Sequence, residues 1–318
     1  MDLPDGLTAR ALEAADARAV YEVMAAQELA DIGMIEVEEA DIVSDWARPS
    51  FDVPTSTIGV FDGDRLVGYA EISGADRGDA AVDPAYRGRG IGTALAGWMR
   101  ETARSRGAGV IGMPVPEGSA GDRLLEGLGY HVRWTSWVLK LPAGASIVER
   151  PLPSGYVVRA ARFDEYPAVH TVAEDAFLEW SVREREPYED FLAQVTGRPG
   201  FEPWQLRAVF DPADQVVGVA HVTLAQTEDG RPPEAFISRL AVRRDQRHRG
   251  IAQALMVDAF REARARGAES SCLSTDSRTG ALGLYEKVGM EVTSVWVNRA
   301  IELTDAADAP SRGAGSRP

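Results

Sequence analysis

The sequence is poor in cysteine, in histidine and in positive charge. Cys272 is its single cysteine, so no disulfide forms within the chain, which suits a reducing compartment. The surrounding Ser270-Ser271-Cys272-Leu273-Ser274 reads as a strand, where a buried inert thiol fits better than a nucleophile. The four histidines, His131, His170, His221 and His248, share no metal-ligand spacing with cysteine or carboxylates, so no metal is expected. Lys and Arg total 34 against 49 Asp and Glu, a net charge of −15. That balance speaks against a nucleic-acid surface. It would steer a cationic substrate inward, although solubility alone also accounts for it. No run approaches the ~20 apolar residues of a membrane span, and Met1 to Gly6 lack the basic and apolar segments of a signal peptide. The expectation is a cytoplasmic protein with no nucleic-acid or membrane partner, monomer and homodimer both open.

What is present is a repeat. The chain has 318 residues, 45% hydrophobic and 26% charged, enough for about two domains of roughly 150 residues. A shift of 160 places Ala81-Val82 on Ala241-Val242, Arg87 on Arg247, Arg89-Gly90-Ile91 on Arg249-Gly250-Ile251, and Arg106-Gly107-Ala108 on Arg266-Gly267-Ala268. Leu124, Glu126 and Gly129 fall on Leu284, Glu286 and Gly289. Earlier in each half the shift is smaller, with Arg10 on Arg159 and Phe61 on Phe210. The second half therefore holds extra residues before Leu240, and the polar stretch 226–233 reads as a longer hairpin loop. A period this long means two whole domains. The boundaries are 1–141, a Pro- and Gly-rich linker at 142–155, 156–304, and a tail at 305–318 with almost nothing apolar, expected to be disordered.

Each half mixes strands with helices. Thr57 to Phe61 and Leu66 to Ala70 flank Asp62-Gly63-Asp64, a hairpin signal, and Gln205 to Phe210 with Val216 to Val222 repeat it. A Gly-rich loop then leads into a helix in each half. Ile91, Leu95, Trp98, Met99 and Ala103 share one helical face, as do Ile251, Leu255, Ala259 and Ala263. Both helices end at Arg-Gly, a C-cap.

The loops are Arg87-Gly88-Arg89-Gly90-Ile91-Gly92 and Arg247-His248-Arg249-Gly250-Ile251-Ala252. Strand, Gly-rich turn and helix N-terminus present unpaired N–H groups and a partial positive charge, which together enclose an anion such as pyrophosphate. The four arginines would add charge at the rim. A Walker loop needs Gly-Lys-Ser/Thr, absent here, and a dinucleotide fingerprint needs a different glycine spacing. The plain alternative is a tight turn that binds nothing, which the doubled motif makes less attractive.

These loops, with Leu240-Ala241-Val242 before the second and Ala281 to Met290 after it, resemble the GNAT (Gcn5-related N-acetyltransferase) superfamily. Ala81 to Gly92 and Gly127-Leu128-Gly129-Tyr130 carry the resemblance in the first half. It implies an α/β (α+β) fold of two tandem GNAT-like domains, each a mixed, mostly antiparallel sheet flanked by helices. The tandem architecture is similar to that of the mycothiol synthase type, which acetylates a cysteinyl-glucosaminyl-inositol. It also implies acetyl-CoA as cofactor and an acetyl group passed to a small amine. Cofactor-binding candidates are Leu240, Ala241, Val242 and the run Arg247 to Gln253. Their counterparts are Ala81, Val82 and the run Arg87, Gly88, Arg89, Gly90, Ile91, Gly92 and Thr93.

The same pattern often places a proton-donating tyrosine after the loop, here Tyr285, although a core aromatic would look the same. The first-half counterpart is Leu125, which donates nothing, and Gly78-Asp79-Ala80-Ala81 looks like a poor strand. Catalysis is therefore expected in the second half, with a non-catalytic first half. Glu234 is the candidate base, against an exposed loop carboxylate as alternative, and His221 the second candidate. Glu174, Asp175 and Glu179 would line a cleft and bind a cationic amine, or be a solvated helix face. Arg278 stands where the family often has Asn. Mycothiol-precursor-like, aminoglycoside-like and polyamine acceptors stay open, as does a silent acyl-CoA sensor.

Overall fold

The computed structural model describes residues 1–142, 144–225 and 232–303. The loop expected at 226–233 lies outside the described residues from 226 to 231, as does the tail expected from Asp305.

The first half runs β1 (Leu7–Arg10), α1 (Ala17–Ile32), α2 (Glu39–Trp46), α3 (Val53–Ser56), β2 (Thr57–Asp62), β3 (Arg65–Ser73), β4 (Arg77–Val82), α4 (Ile91–Ser105), β5 (Val110–Pro116), α5 (Ala120–Gly127) and β6 (His131–Leu141). The second runs β7 (Val157–Ala160), α6 (Tyr166–Phe177), α7 (Tyr188–Gln194), β8 (Leu206–Phe210), β9 (Val216–Ala225), β10 (Glu234–Val242), α8 (Ile251–Arg264), β11 (Ser270–Asp276), α9 (Leu282–Lys287) and β12 (Glu291–Glu302). Both expected hairpins form, β2–β3 and β8–β9. α4 and α8 end as their Arg-Gly pairs require. Gly107 and Gly267 adopt φ of 77° and 101°. The next N–H then reaches back to Ala103 and Ala263 at 3.0 and 3.1 Å, satisfying carbonyls the helix leaves orphaned.

Each half is layered around its sheet. α4 lays Leu95, Met99 and Ala103 against Val67, Ile72 and Ile111 on one face. α1 and α2 cover the other with Val20, Tyr21, Ile42 and Trp46 over Leu66 and Tyr69. α8 packs Leu255 on Val217 and Ala220, while α6 and α7 pack Val169, Ala173 and Phe191 on Leu206 and Val219.

The sheets are one. Twelve strands lie in the order β1-β2-β3-β4-β5-β12-β6-β11-β10-β9-β8-β7. The last strand of each half leaves its own half and pairs antiparallel with the fifth strand of the other. β12 runs along β5, from Trp296 opposite Pro116 to Glu302 opposite Val110. β6 runs along β11, from Leu141 opposite Ser271 to Ser136 opposite Asp276. β6 and β12 pair with each other at the centre. A repeat in sequence does not disclose this exchange. Its consequence is that β6, from the first half, borders the site of the second.

The stretch expected to be a poor strand, Gly78 to Ala81, lies within β4, paired with β3 from Gly68↔Val82 to Ser73↔Arg77 without interruption. Ladder bonds and the packing of Gly78 under Met99 outweigh its low propensity.

Candidate functional site

β10 and β11 run parallel, but only Glu234 to Ile237 are in register with Ser270 to Leu273. Beyond Ile237 the strands separate. On the other side β10 stays paired with β9 as far as Val242, with a bulge between Ile237 and Arg239. A bulge bends a strand and re-aims its edge. The β11-facing edge of Ser238 to Val242 is left without a strand partner, and a cavity of about 1870 Å³ opens there. Leu240, Ala241, Val242, Arg247, His248, Gly250, Ile251, Ala252 and Gln253 line it. The structure thus brings the expected second-half residues to one cavity, save Arg249, which turns to Tyr156 and Gln246.

The loop after β10 ends at α8. His248 and Gly250 take φ of 64° and 81°, matching Gly88 and Gly90 at 74° and 90°. A side chain in that conformation is strained, so His248 holds a backbone shape that glycine holds freely in the first half. Ala254 donates to Gly250 at 2.9 Å, and among the described residues no backbone carbonyl receives the N–H groups of 248–253. This free row of donors at a helix N-terminus suits a pyrophosphate. Two of the four arginines are placed differently from the expectation, while Arg89 and Arg249 form no ion pair among the described residues. Arg247 forks onto Glu179, both bonds 2.8 Å, and Arg87 onto Asp31 with the same lengths. They brace the loop against neighbouring segments and do not serve as free rim charge.

Tyr285 on α9 lines the cavity and is otherwise buried, 8% exposed. Burial pushes its hydroxyl up to about 12, so it carries its proton at neutral pH. Leu125, its counterpart, is core in the first half.

Glu234 also lines the cavity, at the closed end of the gap, where β10 and β11 still pair. It accepts from Lys140 of β6 at 3.0 Å, Ser270 at 2.7 Å and Cys272 at 3.1 Å. Burial would raise its carboxyl, but the three donors hold it below the ordinary glutamate range. That placement makes an ion pair, with little basicity left for a base. His221 lies opposite Arg239 at the bulge, with Nδ1 2.7 Å from Ser238 Oγ. Burial, then Arg239 and Arg198, bring it down to about 3, so it is neutral. Cys272 is buried and its thiol is pushed well up, as expected of an inert group.

The helix carboxylates are not available to an amine. Glu174, 0% exposed, forks onto Arg183 and accepts the Glu186 N–H. Asp175 pairs with Arg185. Arg278 forks onto Asp276 and sits over Trp134, 3.7 Å from the ring centre. Glu28, Glu39, Asp41 and Asp45 of α1 and α2, from the first half, line the cavity instead, but they are engaged as well: Glu28 accepts the N–H groups of Glu36 and Val37, Glu39 pairs with Arg18, Asp41 with Arg198 and Asp45 with Arg48. Burial brings Glu28 up to about 7. No motif marks these residues, because only the three-dimensional pairing of the halves brings them to the second site. Among the described residues no cluster of His, Cys, Asp and Glu could hold a metal.

The first-half loop lies elsewhere. None of Arg87, Gly88, Arg89, Gly90, Ile91, Gly92 and Thr93 lines this cavity, nor do Ala81 and Val82. β4 has no bulge. The N–H of Val82 is taken by Gln27 of α1 at 2.9 Å, and Leu124 stands 2.7 Å from where a Cβ on Gly92 would sit.

Comparison with known proteins agrees with this geometry. Residues 17–120 and 166–290 match the profile of the acetyltransferase (GNAT) family. A mycothiol acetyltransferase of Salinispora arenicola is 30% identical over 249 residues, 73% of this chain and 77% of that protein. One of Nocardia farcinica is 27% identical over 87% of this chain and 91% of its own. A GCN5-related N-acetyltransferase structure from Sphaerobacter thermophilus superimposes with a TM-score of 0.72 at 26% identity, covering 96% of this chain and 98% of its own. A tandem GNAT protein of the clavulanic acid biosynthesis pathway shares the fold, with a TM-score of 0.68 at 20% identity, over 94% of this chain and 99% of its own.

Proposed function

The chain belongs to the acetyltransferase (GNAT) family, and from that premise we propose that its second half transfers an acetyl group from acetyl-CoA to a small amine. The family uses acyl-CoA, and the residues present fit it. The observation that carries the reading is the gap opening after Ile237 beside the free N–H groups of 248–253.

Coenzyme A supplies the acetyl group as an activated thioester. The open edge of Leu240 to Val242 offers backbone donors and acceptors along the gap, apart from the Val242 carbonyl, which accepts from Arg247 Nε at 3.1 Å, and the 248–253 amides offer a phosphate nest. Tyr285 holds a proton on Oη for a departing thiolate; its neutral form is secured by burial. Glu234, neutralised by Lys140, ties β10 to β6 across β11 and leaves the amine to lose its proton to water.

The relatives' name speaks for an acceptor of the mycothiol-precursor class. Thiol release from acetyl-CoA, measured across cysteinyl-glucosaminyl-inositol, aminoglycosides and polyamines, tests the reading. Stimulation by one class identifies the acceptor. Tight acetyl-CoA binding with no amine-dependent release would instead make the chain a silent sensor.

A further inference from the structure

The segment joining the halves does not hang free. Ala145 accepts from Arg264 at 3.1 Å, near the end of α8. Ile147 is buried with Met256, Ala259 and Phe260 of that helix. Val148 accepts from Gln253 at 2.5 Å in its first turn. Tyr156 then meets Gln246 and Arg249 of the loop, each at 2.9 Å. The connector thus follows α8 from its last turn to its first and crosses the mouth of the anion-binding loop.

Arg150 lies on that crossing. Its Cβ and Cδ stand 3.4 and 3.5 Å from where a Cβ on Gly250 would sit. It is exposed, lines the cavity, and forms no ion pair among the described residues. The other arginines of the cavity are mostly committed: Arg183, Arg198, Arg239, Arg247 and Arg278 each face a carboxylate. Arg77 does not, but it belongs to β4 of the first half. Of the loop's own arginines, Arg247 is spent on Glu179 and Arg249 turns out of the cavity to Tyr156 and Gln246, so the uncommitted guanidinium that lines the cavity at the loop arrives from the connector.

We propose that Arg150 is a phosphate-binding residue for the coenzyme A taken by the second half, supplying the guanidinium that Arg247 does not. This rests on the reading that the loop takes coenzyme A. Arg150 sits on the connector beside Gly250, so cofactor binding and the junction of the halves meet at one residue.

The test is equilibrium binding by calorimetry to the full chain, wild type, Arg150→Ala and Arg150→Lys, with coenzyme A, 3′-dephospho-coenzyme A and phosphate-free acetyl-pantetheine. Arg150→Ala is expected to weaken coenzyme A binding about tenfold, the size of one charge-assisted bond. The salt dependence should become shallower, and Arg150→Lys should recover part of the loss. Acetyl-pantetheine affinity and the melting temperature of the ligand-free protein should not change. A loss that persists with the dephospho ligand places the contact on the pyrophosphate; a loss that vanishes places it on the 3′-phosphate. Unchanged coenzyme A affinity in Arg150→Ala, or an equal loss for acetyl-pantetheine, overturns the proposal while leaving the cofactor reading intact. A wild-type chain that binds no coenzyme A overturns both.

Discussion

The side-chain carbonyl of Gln27 accepts the N–H of Val82 at 2.9 Å. At the shift that pairs Arg10 with Arg159, Gln27 falls on Ala176, which lines the open cavity of the second half. One helix position thus carries a side chain that caps the strand end in the first half and a methyl that leaves it open in the second.

It follows that the two loops, alike in sequence, should differ in occupancy. Calorimetric titration with acetyl-CoA should give one site per chain. Gly250→Val, which strains a left-handed position and meets Arg150, should abolish that site, whereas Gly90→Val should leave it intact. Two equivalent sites in the wild type would show that Gln27 and Leu124 do not close the first half.

Tyr285→Phe should lower kcat by roughly 10²–10³, in the range of general-acid loss, with the KM for acetyl-CoA little changed. Because the hydroxyl sits at about 12, it stays protonated across the neutral range. The wild-type rate should show no alkaline fall from this group as pH rises toward about 10. A steady-state pH profile of both proteins checks this, and an unchanged kcat in the variant removes Tyr285 from the chemistry.

The hairpins, the two amphipathic helices, their glycine caps and the paired loops were legible in sequence because each depends on neighbours a few residues apart. The site's second wall was not. Lys140 and Glu234 are 94 positions apart, and nothing in either segment names the other. β6 and β12 occupy equivalent places in the repeat, so either could close either sheet, and only three-dimensional packing selects the exchange. The arginines at 87 and 247 misled for a related reason. Their charge is visible in sequence, but their partners, Asp31 and Glu179, are not. Gly78 to Val82 shows tertiary pairing overriding a weak local preference.

The exchange also bears on unfolding. β6 and β12 each complete the opposite half and pair with each other over most of their length. Neither half keeps a whole sheet when the other melts. Despite two cores, differential scanning calorimetry should show one cooperative transition, with matching calorimetric and van't Hoff enthalpies. Two resolved transitions would mean that the halves keep separate stability.

The contact between Lys140 and Glu234 ties that stability to pH. The donors from Ser270, Cys272 and Lys140 outweigh burial and hold the folded carboxyl below its unfolded value. The group therefore releases its proton more readily when folded. Its stabilisation is complete above the ordinary glutamate range and is lost as pH falls through the depressed folded value. Glu234→Gln keeps the shape but leaves Lys140 half-buried without its partner, which should cost about 1–3 kcal/mol near neutral pH. The deficit relative to wild type should shrink as the solution is acidified, because protonation takes the same charge from the native carboxyl. Denaturant unfolding of both proteins across that range measures it. Turnover separates this role from catalysis. With an ion pair alone at stake, kcat at neutral pH should fall by less than about tenfold and the acid limb of its pH profile should stay. A loss of about 10²-fold or more with disappearance of that limb would restore Glu234 as the base.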